Sequence, residues 1–420
     1  MKKFIWLMMG LLLASDGWAG PALSWTDCLR EAQAQHPGLL AARQAVNAAQ
    51  ASVRAAQAAR LPQLSAGGQA GYAENSEATG GEDSYRASVD VDQVLYDGGN
   101  TRSAVQLAEA DASAALAEAR QSEADILYNL RVAYADLLWA QEQIGLLEQI
   151  RQRRADNVEM VELRYQGGQE HQGSLALNQA ALKEAETDLL QARRNLEITR
   201  GTLGRALGRE RDEPGLTLSG SLDDVPMPGA VDRAALARIT PASVQAEVAR
   251  ARARFSLQQA RSGRQPTLSA YGTASRYGDE WSVEEDSVGA GVRLSIPLWA
   301  GGQTGADIRR AAARLAAAEA SLADTLNSQR TRVDQSLQSF QEAVEALAVR
   351  RQFLEAQELR ATIAREQYGN GLLEFDNWDI IENDLINRQK SLLETRRQAW
   401  RAEAAWWQVT GRGLAEGEAK

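Results

Sequence analysis

The feature that most constrains this chain is a joint between an amphipathic strand and a very long helix, because the joint occurs twice. Residues 85–96 alternate apolar and polar side chains, which predicts a strand with one apolar and one polar face. Gly98 and Gly99 end this pattern, and an Ala-rich stretch typical of a helix follows. The same order recurs around Gly301 and Gly302, 203 residues later.

The repeat extends well beyond the two joints. An offset of 203 residues relates Tyr165 to Tyr368, Arg194 to Arg397 and Gly208 to Gly411, and an offset of 204 relates Pro37 to Pro241 and Pro62 to Pro266. Chance would not hold one register across nearly the whole chain. The sequence therefore predicts a two-fold internal repeat.

Residues 1–19 have the composition of a secretory signal peptide. Two lysines precede an apolar run over residues 4–14, and Ala19 marks the predicted cleavage site. The run is shorter than the ~20 residues that a membrane-spanning helix needs. The only cysteine, Cys28, lies beyond that site, so it cannot be the acylated first residue of a lipoprotein or form an internal disulfide. The chain is predicted to be exported without a lipid anchor.

Charge and hydropathy exclude two further classes of protein. The net charge of -10 makes nucleic acid an unfavourable partner, because its phosphates are also negative. After residue 19, no apolar run approaches the ~20 residues of a membrane helix. If the chain enters a membrane, it is predicted to do so through strands.

The pattern of periodicity, prolines and glycines predicts the order of elements. A helix over 25–60 should bend or break near His36 and Pro37. The predicted organisation is a signal peptide at 1–19; a first repeat at 20–207 with the helix 25–60, strands 62–72 and 85–96, and long helices 101–165 and 174–207; a linker at 208–239; a second repeat at 240–410 with a helix 241–262, strands 266–276 and 287–298, and long helices 304–368 and 376–410; and a flexible tail at 411–420.

The four strands constrain the assembly. Strands of roughly ten to twelve residues can cross a bilayer at a tilt. Four strands cannot close a barrel, and open strand edges are not tolerated in lipid, so several chains must contribute strands. The predicted fold is a mixed α/β membrane protein, mainly α, in which long antiparallel coiled-coil helices accompany four amphipathic strands that complete a twelve-stranded β-barrel in a trimer. The alternative, half-buried strands in a soluble α+β domain, is disfavoured by the signal peptide and the long helices.

Several motifs resemble one known family. They are Leu23-Ser-Trp-Thr-Asp-Cys-Leu29 followed by His36-Pro-Gly-Leu39, the Leu-aromatic-x-Gly-Gly joints at 95–99 and 298–302, and the turn motifs at 164–168 and 367–372. This layout resembles the TolC-like outer membrane efflux proteins over the whole mature chain. The resemblance implies a homotrimer with a twelve-stranded barrel in outer-membrane lipid, a helical tunnel through the periplasm and a mixed equatorial domain. It further implies docking onto a periplasmic adaptor and an inner-membrane pump.

The resemblance places the two turn motifs at the periplasmic tip. There it implies that the adaptor is contacted by Gly167, Gly168, Gln169, Gly371 and Leu372. The alternative is that these glycines only end long helices with a positive φ. The first turn has Gly168-Gln169 where the family usually has Gly-Leu, so its part in the contact is the weaker of the two.

Acidic residues follow the second turn. Glu374, Asp376 and Asp379 are candidates for a pore constriction, since a three-fold ring of carboxylates would bind cations. The alternative makes Asp376 a helix N-cap with Asp379 three residues later. Arg365 and Tyr368 are expected to support the closed state of such a gate.

The predicted function is an outer-membrane exit duct of a tripartite efflux system, conducting passively and gated at its periplasmic tip. Two alternatives remain: a type I protein-secretion duct, and a non-conducting periplasmic coiled-coil adaptor with one helical hairpin flanked by small β domains. No enzyme activity, cofactor or metal is predicted, because His36, His171 and Cys28 lack metal-ligand spacing and neither Gly-Gly joint is a phosphate loop. The tryptophans near residue 400 are expected to pack in the equatorial region. The sequence leaves the exported substrate and the partner pump open.

Overall fold

Helices and strands follow one another in the order that the repeat predicts. A computed structural model describes residues 22–74, 81–210, 215–223, 225–278 and 285–412. Its elements are α1 (Trp25–Gln35), α2 (Pro37–Ala58), β1 (Gln63–Glu74), β2 (Gly81–Tyr96), α3 (Asn100–Gln166), α4 (Gln172–Leu207), α5 (Arg233–Ile239), α6 (Pro241–Ser262), β3 (Thr267–Gly278), β4 (Glu285–Ser295), α7 (Gln303–Gly369) and α8 (Phe375–Thr410). The predicted fold of long helices with four strands is confirmed.

Some element bounds differ from those that the sequence predicts, and each difference has a local cause. The helix expected over 25–60 consists of α1 and α2, which separate at His36 because Pro37 has no backbone N–H and best fits a helix start. Strand β2 begins at Gly81 rather than at residue 85, because Gly81 already pairs with Glu74 of β1. Strand β4 ends at Ser295 rather than at residue 298, two residues before a proline that cannot donate a ladder hydrogen bond.

Other differences lie between and after the repeats. Helix α5 occupies part of the linker expected over 208–239, and the Asp232 side chain caps it by accepting from two backbone N–H groups at 3.0 Å. Gly411 and Arg412, expected in the flexible tail, end α8, where Arg412 N–H donates to the Trp407 carbonyl. The predicted signal peptide, the tips of both strand loops (75–80 and 279–284) and residues 413–420 lie outside the described residues.

The four strands form one antiparallel sheet in the order β1-β2-β3-β4. Residues that pair across the strands point to the same face, and this register confirms the predicted alternation. One face carries Leu64, Ala66, Ala70, Tyr72, Tyr85, Ala87, Val89, Val91, Leu268, Ala270, Ala274, Val288, Ala290, Val292 and Leu294. Asp83, Gln93, Arg276 and Asp286 also lie on this face, toward the ends of the strands. The other carries Gln63, Ser65, Gln69, Arg86, Ser88, Asp90, Asp92, Tyr271, Thr273, Ser275 and Arg293.

The long helices form a row. Helix α3 pairs with α4, α7 pairs with α8, and α3 packs on α8, so the row runs α4-α3-α8-α7. Nearer the sheet, α2 packs on α3, α3 on α6, and α6 on α7. Helices α3 and α7 each contain 67 residues, which corresponds to a length of about 100 Å. No helix in the described part of the chain combines the length and apolarity that a membrane crossing needs.

The segment between the repeats crosses this row on one face. Residues 215–223, the equatorial belt, contact each of the four long helices. Arg200 of α4 donates to the Leu216 carbonyl at 2.9 Å, and Gln141 of α3 accepts from Leu218 N–H at 3.1 Å. Further along, Trp400 of α8 donates to the Leu222 carbonyl at 3.2 Å, and Arg351 of α7 donates to the Asp223 carbonyl at 3.0 Å. The belt therefore marks one face of the row.

Candidate functional site at the helix turns

The turns that connect α3 to α4 and α7 to α8 have the same backbone geometry. Gly168 and Gly371 have φ values of 70° and 74°. The next residue in each turn donates its N–H back into the helix, from Gln169 to the Arg164 carbonyl at 2.9 Å and from Leu372 to the Gln367 carbonyl at 2.8 Å. These bonds form Schellman motifs, in which glycine avoids the steric cost of a positive φ.

The glycines therefore do end the long helices, as the alternative to adaptor contact proposed. They also leave the turns open to approach. A Cβ at Gly168 would meet no atom within 4 Å, and Leu372 is 77% exposed. Gly167 keeps a helical conformation, with φ of −78°, and is matched in the second repeat by Asn370, not by another glycine. Contact of these residues with an adaptor remains a prediction.

Aromatic side chains close the second turn. Tyr368 near the end of α7 is fully buried and stacks on Trp378 in the first turn of α8, with ring centroids 4.4 Å apart and an interplanar angle of 2°. Phe375 lies against the edge of the Tyr368 ring, with centroids 6.2 Å apart. The short turn brings these residues together because it reverses the chain between them. This cluster fixes the position of the Tyr368 hydroxyl.

That hydroxyl joins the second turn to the first. Tyr368 Oη donates to Glu170 Oε2 at 3.0 Å, and Ser174 Oγ donates to Glu170 Oε1 at 2.9 Å. Arg164 donates to the Tyr368 carbonyl at 2.8 Å and places its guanidinium 4.6 Å from the centre of the Tyr368 ring. We call Arg164, Glu170, Ser174 and Tyr368 the turn clamp. It holds the two helical hairpins of one chain together at their ends.

Electrostatics favour an ionised Glu170 in this clamp. Its side chain is only 8% exposed, and burial alone would raise its pKa. Donors from His171 N–H, Ser174 and Tyr368 outweigh burial and hold the pKa of Glu170 below its ordinary value. Burial and the nearby carboxylate both raise the pKa of Tyr368, so its hydroxyl stays protonated and can donate.

Glu170, Arg164 and Ser174 were not predicted as site residues. One signal could have found Glu170: the 203-residue offset places Leu373 at its position in the second repeat. A carboxylate replaces an apolar residue there, so the two turns are chemically unequal. The partnership with Tyr368 itself spans 198 residues and needed the structure.

The predicted acidic residues occupy three different environments. Helix α8 begins at Phe375 with Glu374 in the N-cap position, so the alternative in which Asp376 caps the helix is wrong. Glu374 and Asp376 are exposed, whereas Asp379 is half-buried and accepts from Asn383 Nδ2 at 2.8 Å. Burial raises the pKa of Asp379, and the nearby Arg154 on α3 opposes that rise. Of Asp376 and Asp379, only Asp376 is exposed to solvent.

Charged side chains also connect α3 to α7 and α8, the helices of the second hairpin. Arg153 of α3 donates to both carboxylate oxygens of Glu382 at 2.6 and 2.9 Å, and Glu382 is fully buried. Arg365 on α7, which the sequence predicts as a support of the closed gate, pairs with Asp156 on α3 at 3.9 Å, and both side chains are partly exposed. Of these two pairs, only Arg365–Asp156 has both partners open to water, so its contribution to stability is the smaller.

The strand–helix joints also use glycines with a positive φ, namely Gly98, Gly99, Gly301 and Gly302. In the first joint, Asp97 accepts from Gly99 N–H at 3.1 Å and Thr101 N–H at 2.7 Å. A Cβ at Gly98 would lie 2.2 Å from Gln265 Cβ, so this joint requires glycine on packing grounds as well. The second joint has Ala300 at the position of Asp97 and lacks that side-chain cap.

The tryptophans near residue 400 belong to the equatorial core. Arg131 of α3 is fully buried, pairs with Glu403 of α8, and lies 4.0 Å from the centre of the Trp400 ring and 4.4 Å from that of Trp407. Trp25 of α1 covers the same guanidinium at 4.8 Å. These rings surround an internal side chain, in keeping with the packing role expected for them.

Comparison with known proteins agrees with this architecture. The family model for outer membrane efflux proteins matches residues 28–209 and again residues 236–412, one match for each repeat. The outer membrane efflux protein BepC of Brucella suis biovar 1 is 23% identical over 335 residues, which is 78% of this chain and 72% of BepC.

Solved structures show the same fold. CusC superposes with a TM-score of 0.83 at 17% identity, covering 92% of each chain. VceC of Vibrio cholerae superposes with a TM-score of 0.80 at 22% identity, covering 93% of this chain and 96% of VceC. The MtrE outer membrane channel of Neisseria gonorrhoeae, in its open state, gives 0.82 at 17% identity and covers 93% and 89%. The adaptor alternative, which expected a single helical hairpin, does not fit two hairpins and a four-stranded sheet.

Proposed function

The chain belongs to the outer membrane efflux protein family, and on that premise we propose that three copies form the outer-membrane exit duct of a tripartite efflux system. One observation carries the proposal: the sheet and the helix row each end in two free edges. Nearer the sheet the helices run α2-α3-α6-α7, so α2 and α7 are the outer helices there. Helix α2 leads into edge strand β1 and edge strand β4 leads into α7, so the free edges of both layers fall on the same two sides of the chain. One head-to-tail contact would close both layers.

The sheet supports insertion into lipid. Its apolar face is exposed, with Val288 85% and Leu64 72% accessible. An unpaired strand edge in lipid leaves backbone groups without hydrogen bonds, so β4 of one chain needs β1 of another. Three chains give twelve strands, a size found among outer-membrane barrels. The polar face of the sheet then lines a water-filled lumen.

The helix row supports the same closure. The outer helix α7 exposes Val349, Phe353, Leu359 and Ile363, and the outer helix α4 exposes Leu177, Leu190 and Ile198. The four α7 residues lie on one side of that helix, which is typical of a seam between packed helices. A rotation that seats α7 of one chain beside α4 of the next repeats around a three-fold axis and closes the ring. The product is a helical tunnel continuous with the barrel.

This arrangement places the turns far from the membrane. Helices α3 and α7 run about 100 Å from the joints to the turns, which is enough to cross much of a periplasm. The turns then meet the periplasmic adaptor of an inner-membrane pump. We assign that contact to the open glycine turns and to the exposed Leu372. Energy comes from the pump, and the duct conducts passively.

The turn clamp and the acidic residues form the gate. With the clamp made, the ends of both hairpins are held together within each chain, and this is the closed state. Three copies of Asp376 around the axis place carboxylates in the narrowest part of the pore, with Glu374 beside them. Asp379 contributes through its electrostatic attraction to Arg154 of α3. Arg365 and Asp156 add a weaker contact that releases on opening.

Single-channel recording in a planar bilayer tests the proposal. The wild-type protein should give small, cation-selective steps, because the gate is closed and acidic. Asp376→Ala should enlarge the steps and lower cation selectivity, whereas Glu355→Ala, the same change on the solvated face of α7, should leave both unchanged. A purified protein that inserts but never conducts would contradict the proposed duct.

A further inference from the structure

The segments that join the helices to the sheet are positively charged, although the chain has a net charge of -10. They contain six arginines and two carboxylates, and they span residues 57–62, 97–105, 261–266 and 300–310. Both carboxylates are engaged within the fold. Asp97 caps the start of α3, and Asp307 pairs with Arg310 at 2.8 Å. The remaining arginines therefore carry a local excess of positive charge at the end of the sheet.

Four of these arginines are available to a partner outside the chain. Arg60, Arg102, Arg264 and Arg309 are exposed, and none of them forms an ion pair within the described part of the chain. We call these four residues the basic collar. Arg60 and Arg264 occupy the same place in the two repeats, since each precedes by two residues the proline that leads into a strand. The collar therefore recurs at one height, beside β1 and again beside β3.

Packing of the helices brings the collar arginines together in pairs. A Cβ at Gly305, in the first turn of α7, would lie 3.7 Å from Arg264 Nη2, and Arg309 lies one turn further along the same face of α7. In the first repeat, the 203-residue offset places Arg102 at the position of Gly305, and α2 packs on α3 as α6 packs on α7. Arg60 therefore lies beside Arg102. Like charges placed side by side repel each other unless an anion lies between them.

The collar lies at the end of the apolar face of the sheet. Gln93 belongs to that face, and its side chain donates to the Arg60 carbonyl at 3.0 Å. The exposed apolar side chains of Leu61 and Leu64 follow Arg60 directly along the chain. In the proposed duct this face contacts lipid, so the collar lies where the hydrocarbon ends and the headgroups begin. This placement rests on the proposed function.

We propose that the basic collar binds the phosphate groups of anionic phospholipids in the periplasmic leaflet of the membrane. A guanidinium donates two parallel hydrogen bonds that match the oxygens of a phosphate. Three chains repeat the collar at one height around the barrel, which fits a planar layer of headgroups better than a single soluble anion. The acyl chains then pack on the apolar face beside Leu64. Basic residues next to a membrane span attract anionic lipid in this way, and here they fix the depth at which the barrel sits.

Native mass spectrometry tests the collar by counting lipids bound to the detergent-extracted protein. Dioleoyl phosphatidylglycerol should bind the wild type more tightly than dioleoyl phosphatidylcholine, which has the same acyl chains and no net charge. Arg60→Gln combined with Arg264→Gln removes one arginine from each pair, so it should weaken binding of phosphatidylglycerol about fivefold and leave phosphatidylcholine unchanged. Arg43→Gln combined with Arg250→Gln is the matched control, because these arginines are also exposed on α2 and α6 but lie roughly 20 Å or more from the collar along the helices.

Three results would overturn the lipid assignment. The first is equal binding of the two lipids by the wild type. The second is a loss of phosphatidylglycerol binding in the control pair as large as that in the collar pair. The third is complete displacement of phosphatidylglycerol by an equal concentration of inorganic phosphate, because the site would then recognise a free phosphate without the acyl chains.

Bilayer recordings on the same samples separate this inference from the proposed function. The collar lies outside the bore, so the wild type and both double variants should conduct alike. Conducting channels from a wild type that shows no preference for phosphatidylglycerol would overturn the collar and leave the duct intact. A wild type that prefers phosphatidylglycerol but forms no channel would overturn the duct and leave the lipid-binding surface.

Discussion

The Tyr368 hydroxyl donates a hydrogen bond to Glu170 across the two turns, so Tyr368→Phe perturbs the gate by removing a single donor. The substitution keeps the ring that stacks on Trp378 and removes only the donor to Glu170. Hydrogen bonds to charged groups contribute about 1.5–3 kcal/mol. Glu170 keeps its donors from Ser174 and His171, so the lower part of that range applies.

A loss of about 1.5 kcal/mol in each chain raises the ratio of open to closed hairpins about tenfold. If three chains open together the factors multiply, which gives about a thousandfold. Single-channel recording measures this as open probability at neutral pH. Tyr165→Phe is the matched control, because Tyr165 occupies the same position in the first repeat and is 40% exposed. An open probability that is equal in Tyr368→Phe and wild type would refute the role of the hydroxyl in holding the gate closed.

Three further predictions concern charge and backbone. The pKa of Glu170 lies below its ordinary value of 4.5, so its stabilising contribution is present above pH 4.5 and is lost as pH falls through the folded-state pKa; open probability should rise in that acid window, and the rise should be smaller in Glu170→Gln. Arg131→Ala leaves the buried Glu403 without its cation and should destabilise the protein by about 3–5 kcal/mol, seen as a lower midpoint of thermal unfolding; an unchanged midpoint would contradict the buried pairing. Gly208→Ala should lower that midpoint more than Gly168→Ala, because both glycines have a positive φ but only at Gly208 would a Cβ contact another backbone atom, at 2.7 Å; equal shifts would show that φ alone sets the cost.

Features that depend on local periodicity could be predicted from the sequence. The alternation over residues 85–96 specified which side chains share a face, because the period of a strand is two whatever it packs against. The break at His36 and the glycine-ended helices follow from backbone chemistry that is equally local. The internal repeat predicts that each of these features occurs twice.

Features that depend on distant pairing could not be predicted. The clamp joins Glu170 to Tyr368 across the two hairpins, and their spacing in the sequence carries no pattern. The Arg131 guanidinium lies over the rings of Trp25 and Trp400, which come from opposite ends of the chain. Helix α5 has only 7 residues, too few to show a helical period. Such contacts require knowledge of which elements become neighbours.

Closure of the sheet and of the helix row by three chains underlies both the duct and the gate. Native mass spectrometry of the detergent-extracted protein tests it most directly, because the mass gives the number of chains without reference to activity. The predicted particle contains three copies, and Phe353→Glu in the apolar seam of α7 should release monomers that Glu358→Gln, exposed on another face of the same helix, does not. A wild-type particle of one or two chains would leave the edges of β1 and β4 unpaired and would contradict closure by three chains.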